Sequence, residues 1–348
     1  MYINARHALP LRFYSTSPPE KPSLKLVAEL RKLTEVSITK AREALSASNN
    51  DVVSALAWLQ KDLITSGAKK AAKVQGRVAG EGLVSVSVLS GGAGLRAGLG
   101  SGSIRAAMVE LNCETDFVGR NDLFGKLATD IAHTAAFISD PVGSDTLFRP
   151  CPLDALNDAP LISQADPQSR SPSTVGSAVR DMIAKVGEKI SLRRAITMVR
   201  DPLPQTQPEL GLRLASYVHG SINVPSQGRI GALAILALKA PGLYSLLSSD
   251  TFREDLERLE RSLGRQIVGF DTRLIRSPAD AKDETALYEQ PFMMLAGEFS
   301  GQPVHEVLRS WARQRGFWEN GSREAGGLEV LEFVKWTVGE TPNITIED

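Results

Sequence analysis

The strongest constraint on how this chain folds is a pattern that occurs twice. Two strand signals followed by a helix signal appear on each side of a proline-rich stretch, Pro202 to Pro208. Proline fixes φ and lacks a backbone N–H, so that stretch reads as a boundary rather than as the interior of a helix or a central strand. In the first copy, Val84, Val86 and Val88 alternate with Ser85 and Ser87, the period-two pattern of a half-buried strand. The apolar run Ile104 to Leu111 supplies a second strand, and the glycine-rich stretch Ser90 to Ser103 between them reads as the flexible tip of a hairpin. A helix over about Thr115 to Ile138 follows, with Phe124, Leu127, Ile131, Ala135 and Ile138 as its buried stripe. In the second copy, Leu212–Val218 and Ile230–Leu238 read as strands and the region from about Thr251 to Val268 as a helix. The fold class this predicts is α+β, with two related subdomains built on antiparallel sheets, residues 66–200 and 211–348.

Other segments attach to this frame. Asp140 to Pro172 is rich in Pro, Asp and Ser and reads as an irregular insertion, residues 140–172. A helix from about Val175 to Val186 ends at Gly187, a favourable C-cap, and leads into a strand with Ile190, Leu192, Ile196 and Met198 on one face. The last part offers a helix near Val304–Arg313 and a strand near Leu328–Val338. Ahead of the first hairpin, residues 23–65 read as a small three-helix bundle. Leu26, Leu30 and Leu33 face inward from the first helix, and Ala41, Ala44 and Leu45 from the second. Val52, Val53, Leu56 and Leu59 do so from the third, with Asn50 as its cap. Lys69, Lys70, Lys73 and Arg77 then line a polar helical connector, either a solvated face or the footprint of an RNA-binding ribosome accessory protein.

Residues 1–22 differ in composition. Arg6, His7 and Arg12 stand among Ser and Thr, and no acid precedes Glu20. This is the make-up of a mitochondrial transit peptide, with a disordered leader as the alternative, and Arg12-Phe13-Tyr14-Ser15 resembles a matrix-processing site.

Several function classes are disfavoured. Forty basic residues balance forty acidic ones, which leaves no broad positive field for non-specific nucleic-acid binding. The longest apolar run, Ile230 to Leu238, is too short to cross a bilayer. The two cysteines, Cys113 and Cys151, form no CxxC pair, and the four histidines are scattered, so neither a disulfide framework nor a metal site is expected. No GxxxxGK[ST] loop or GxSxG elbow occurs, and Gly91-Gly92-Ala93-Gly94 precedes a strand rather than a helix. No cofactor, no bound nucleotide and no catalytic site are predicted.

Glu114-Thr115-Asp116-Phe117-Val118 stands at a strand-to-helix junction. Thr115 suits a helix cap and Asp116 a first turn. Phe117 lies seven residues before Phe124, on the same stripe, which is consistent with a core position. The same junction can also project an acid and a ring outward as a rigid wedge.

Val109 through Val118, continuing to Arg120-Asn121, resembles the signature of the elongation factor Ts family. Further matches follow in the family's order. Ser66 to Lys73 with Gly80-Glu81-Gly82 is similar to its connector and first strand, and Val186 to Arg194 to its IGE-N-I-RR segment. Tyr217-Val218-His219-Gly220 with Arg229-Ile230-Gly231 resembles its Y-x-HG…RIG segment, Gln290-Pro291-Phe292 its QPF, and Phe333 to Glu340 its closing strand. There are departures. Thr34 is followed by Glu35-Val36-Ser37 where the family's bundle has a TGAG turn, and Ser221 to Gly228 looks like an insertion. Too few residues separate Gly269 from Tyr288 for the antiparallel coiled coil of bacterial members, which suits a mitochondrial form.

The resemblance implies a non-enzymatic nucleotide-exchange factor in the mitochondrial matrix, whose partner is the GTPase elongation factor Tu. It places the wedge at Thr115, Asp116, Phe117 and Val118 and secondary partner contacts at Arg120, Asn121, His219 and Gly220. The N-terminal bundle also resembles a ubiquitin-associated (UBA-like) domain. It lacks that class's Met-Gly-Phe/Tyr loop, so ubiquitin is not an expected partner, nor is a membrane.

Overall fold

The computed structural model describes residues 21–34, 36–94, 102–141, 146–167, 173–204, 206–221, 224–318 and 326–340. The expected leader, residues 1–20, and the hairpin tip, 95–101, lie outside the described residues. The chain divides into two compact units, 1–69 and 70–348.

In the first unit, α1 (Leu24–Thr34), α2 (Ile38–Ala47) and the start of α3 (Val52–Val74) enclose a core of Val27, Leu30, Ala41, Ala44, Leu45, Ala55 and Leu59. Ser37 caps α2 by accepting from the Lys40 amide. The cap of α3 is Asp51, whose carboxylate accepts from the Ser54 amide at 2.7 Å. Asn50, expected in that role, sits in the left-handed region at φ 63° and shapes the preceding turn. Leu33 and Val53, expected inside, are 61% and 74% exposed. Val27 and the small Ala55 occupy the inward phase instead. The Lys69–Lys73 connector is the continuation of α3.

The second unit forms, in order, β1 (Glu81–Gly91), β2 (Ile104–Cys113), α4 (Asp116–Gly119), α5 (Asp122–Ile138), β3 (Arg149–Pro150), α6 (Leu153–Asp158), α7 (Val175–Val186) and β4 (Ser191–Arg200). Then come β5 (Leu210–His219), β6 (Gln227–Gly228), β7 (Ile230–Lys239), α8 (Leu243–Ser248), α9 (Asp250–Gly269), α10 (Val304–Gln314) and β8 (Gly327–Thr337). Among the described residues, all strand pairs are antiparallel. They make a five-stranded sheet in the order β3-β4-β2-β1-β6 and a three-stranded sheet in the order β5-β7-β8. The α+β class read from the sequence holds.

The two sheets pack on one another through Val84, Val86, Met108 and Met198 on one side and Leu214, Val218, Leu233 and Ile235 on the other. A second core, including Val109, Leu111, Phe124, Ile131 and Ile183, lies between the first sheet and α5 and α7. A third, including Leu236, Leu256, Leu263, Val307 and Trp311, lies between the second sheet and α9 and α10. The layers of this unit are therefore helix, sheet, sheet, helix.

This layering corrects the half-buried reading of β1. Ser85 and Ser87 are buried as fully as Val84 and Val86, because the valines meet the second sheet while the serine side of the strand lies under α5. In β4 the expected single apolar face is split. A β-bulge falls where Glu110 pairs Arg194 but Leu111 pairs Leu192, leaving Arg193 as the extra residue. Ile190 and Leu192 thus face the helices, while Ile196 and Met198 face the other sheet.

Two other expectations change. The 140–172 region is not wholly irregular, since β3 pairs with β4, and Phe148, Cys151 and Leu156 are buried. The end of the Ser221–Gly228 insertion forms β6, which extends the first sheet beside Val84. The glycines that open the hairpin tip serve packing. Gly92 has φ 104°, and a Cβ there would stand 2.1 Å from the Leu212 carbonyl oxygen. That close approach lets the Ala93 amide donate to Leu212 and fastens the hairpin to β5.

Candidate functional site

The site grows from the end of β2. Cys113 is fully buried, and the chain then turns through Glu114 and Thr115 into the single turn α4. Thr115 caps that turn, its hydroxyl accepting from the Val118 amide. The helix expected to run unbroken from Thr115 to Ile138 is interrupted at Arg120 and Asn121. Asn121 adopts an extended conformation and starts α5 afresh, its side chain accepting from the Leu123 amide at 2.8 Å. The interruption decides where the two aromatic rings go. Phe124 points into the core and is fully buried. Phe117, which an unbroken helix would place on the same stripe, is 83% exposed.

The turn that carries Phe117 is held from below by the segment after α7. Gly187 closes α7 in the left-handed conformation at φ 77°, and Glu188 and Lys189 follow it. One Glu188 carboxylate oxygen accepts from the Thr115 hydroxyl at 2.7 Å and the other from the Thr115 amide at 3.1 Å. In the opposite direction, the Glu114 carboxylate accepts from the Lys189 amide at 2.6 Å and is approached by the Arg77 guanidinium at 3.3 Å. The Cys113 thiol donates to the Thr115 carbonyl. Burial, reinforced by the nearby carboxylates of Glu188 and Glu81, pushes that thiol up to about 12. Val118 packs partly against the helix-side core, while Asp116 pairs with Arg120 at 3.1 Å on the surface.

Beside the turn lies a cleft of about 500 Å³. Its walls bring together Asp116, Arg120 and Asn121 from the first half of the unit with Gly220 and Arg229 from the second. Arg229 pairs with Glu81 across it, and the Arg229 amide donates to the His219 carbonyl at 2.8 Å. Gln227, buried below, donates its side-chain amide to Gly125 and Thr129 of α5. Of the residues expected to contact a partner, Asp116, Arg120, Asn121 and Gly220 therefore share one cleft, with His219 at its border. Phe117 stands free beside it, and Thr115 and Val118 form its footing.

Sequence reasoning did not single out Glu114, Glu188 and Lys189 as the support of this turn. Their partners lie 73 and 75 positions away, so no local spacing reveals the contact. Of the basic connector, Lys70 donates to the Ala184 carbonyl and Arg77 meets Glu114, so two of its four cations make contacts within the chain itself. Among the described residues, no group of His, Cys, Asp and Glu is arranged to hold a metal ion, and no helix is long and apolar enough to cross a membrane.

Residues 114–243 match the family described as "Elongation factor TS". A Laccaria bicolor protein named "Elongation factor Ts, mitochondrial" is 60% identical over 345 residues, covering 98% of this chain and 99% of its own. A protein of the same name from Coprinopsis cinerea is 57% identical over 332 residues, with 95% of each chain covered. One from Mycosarcoma maydis is 36% identical, covering 93% of this chain and 86% of its own.

Proposed function

This chain belongs to the elongation factor Ts family, and from that premise we propose that it drives GDP out of mitochondrial elongation factor Tu in the matrix. The exposed ring of Phe117 enters between helices of the GTPase, with Asp116 beside it. The intrusion disturbs the loop that holds GDP's phosphates and the Mg²⁺ ion. Mg²⁺ demands near-ideal octahedral geometry, so a small displacement of its ligands weakens binding sharply. GDP leaves and GTP rebinds. Linkage makes the cycle reversible: if the factor lowers GDP affinity by some ratio, nucleotide lowers the factor's affinity by the same ratio. The chain needs no reaction of its own for this, and the cleft residues Arg120, Asn121 and Gly220, with His219, supply contacts away from the nucleotide.

The observation that carries this reading is the 83% exposure of Phe117 on a turn pinned to its own molecule. The ring adds no buried area to its own fold, and in a member of a family named for a translation factor that leaves it available to a partner's surface. The mitochondrial setting is supported by the relatives' names and by the acid-free, arginine-bearing residues before Glu20. The test is stopped-flow release of labelled GDP from mitochondrial elongation factor Tu. Phe117→Ala combined with Asp116→Ala is expected to abolish the acceleration while leaving the melting curve unchanged. Acceleration at the wild-type rate by that double variant would refute the wedge.

A further inference from the structure

We propose that Glu188 is a positioning residue for the exchange reaction, holding the turn that aims Phe117, a role that rests on the wedge reading above. The contact pattern is a crossed pair. Glu188 takes both donors of Thr115, and Glu114, the residue before Thr115, takes the amide of Lys189, the residue after Glu188. Two neighbouring residues on each side thus bind two neighbouring residues on the other, which fixes rotation as well as distance. The pair lies between the end of β2 and the end of α7, two elements already anchored in the same core through Leu111, Met182 and Ile183.

The pinning reaches Phe117 through Thr115. Its hydroxyl donates to Glu188 at 2.7 Å, which leaves the oxygen's lone pairs turned toward the Val118 amide that starts the turn. The turn is only four residues long, and none of them is buried. Core packing reaches the turn only through Val118, which is partly buried, and the charge-assisted bonds at Thr115 add to it. The other end of the turn is closed by the Arg120 and Asn121 amides, which donate to the Asp116 and Val118 carbonyls at 3.0 Å each, so the ring is carried between two fixed points. A ring that must separate two elements of another protein transmits force only if its base does not yield. Releasing Glu188 leaves the ring exposed but loosely aimed.

The test uses the full-length chain and GDP-loaded mitochondrial elongation factor Tu, with Glu188→Ala, Thr115→Val, their combination and Thr115→Ser, and with Phe117→Ala as reference. Glu188→Ala, which removes both bonds to Thr115, is expected to lower the maximal rate of GDP release at saturating factor at least on the order of tenfold, the factor that loss of one charge-assisted hydrogen bond alone corresponds to. The half-saturating concentration changes little. Thr115→Val, which loses the hydroxyl bond but keeps the amide bond, lowers the maximal rate by no more than Glu188→Ala does, the double variant is no slower than Glu188→Ala, and Thr115→Ser, which keeps the hydroxyl, restores the rate. Amide exchange speeds up over residues 115–119 and stays unchanged in β2 and β4. An undiminished maximal rate for Glu188→Ala, additive losses, or exchange quickened throughout the sheet would each overturn the positioning role. If Phe117→Ala slows release but Glu188→Ala does not, the positioning role alone fails. If Phe117→Ala releases GDP at the wild-type rate, the wedge reading fails and takes this role with it.

Discussion

At the scale of single residues, two side chains four positions apart in sequence meet opposite fates. Cys113 is fully enclosed at the end of β2, while Phe117 stands in solvent. The exposed ring loses no buried contact when truncated, which is why the Phe117 variant is expected to leave stability within about 0.5 kcal/mol of wild type. The buried thiol is the opposite case. Enclosure disfavours the thiolate, with the carboxylates of Glu188 and Glu81 adding to the effect, and the thiol is pushed from an ordinary value of 9.0 up to about 12. Since the thiolate is the nucleophile, native Cys113 is expected to resist iodoacetamide at pH 8 and to react promptly once the chain is unfolded in urea, as peptide mass spectrometry of the labelled chain would record. The sign of the linkage follows. The folded state holds this proton more tightly than the unfolded chain, so the stability it confers is complete below pH 9 and is lost as pH rises from about 9 toward 12. Rapid labelling of Cys113 in the native state would mean that the strand end is open, and the fixed base proposed for Phe117 would go with it.

Among the elements, what was legible in the sequence and what was not divide along one physical line. Strands and helices with a regular apolar period, such as β7 and α9, were readable because burial imposes the period directly. The misreadings fall where one residue changes the phase. The bulge at Arg193 moves Leu192 to the opposite face from Ile196, and the break at Arg120-Asn121 takes Phe117 off the stripe of Phe124. Neither is visible in hydrophobicity, since both are set by backbone pairing and capping. The candidate site was readable to a similar extent. The residues at the turn and around the cleft were found through the family resemblance, whereas the carboxylates supporting them depend on contacts across the fold. The hairpin loop shows the same limit: its glycines suggested flexibility, yet Gly92 presses against β5 with no room for a Cβ. Gly92→Ala must move the loop or strain it at φ 104°, with an expected loss of about 1–3 kcal/mol in urea denaturation. A wild-type midpoint would mean that the hairpin is not fastened there.

For the whole second unit, the question is what makes two sheets behave as one body, and a single fully buried carboxylate bears on it. Glu110 on β2 accepts from Arg194 at 2.6 Å, from Asn112 at 3.1 Å and from the Gly339 amide, just beyond β8, at 2.8 Å. Arg194 in turn donates to the Thr337 carbonyl and lies over the Trp336 ring at 4.4 Å, and Arg193 donates to the Glu340 carbonyl. The bulge in β4 is what brings two consecutive arginines to this junction, so an irregularity of one strand serves the connection between sheets. Removing the carboxylate strands Arg194 and leaves the Gly339 amide without its acceptor. Glu110→Ala is expected to cost about 3 kcal/mol, the low end for a broken buried pair because Arg194 keeps some access to water. Glu110→Gln, which keeps an acceptor of the same shape but not the charge, should fall between that and wild type. Hydrogen exchange separates this from a general loss of packing: protection should fall first over Trp336 to Gly339 while β1 and β2 hold. If the midpoint of Glu110→Ala does not move, the apolar contact of Val84 and Met108 with Leu233 and Ile235 is enough to join the sheets, and the buried charge serves only to set the position of the closing strand.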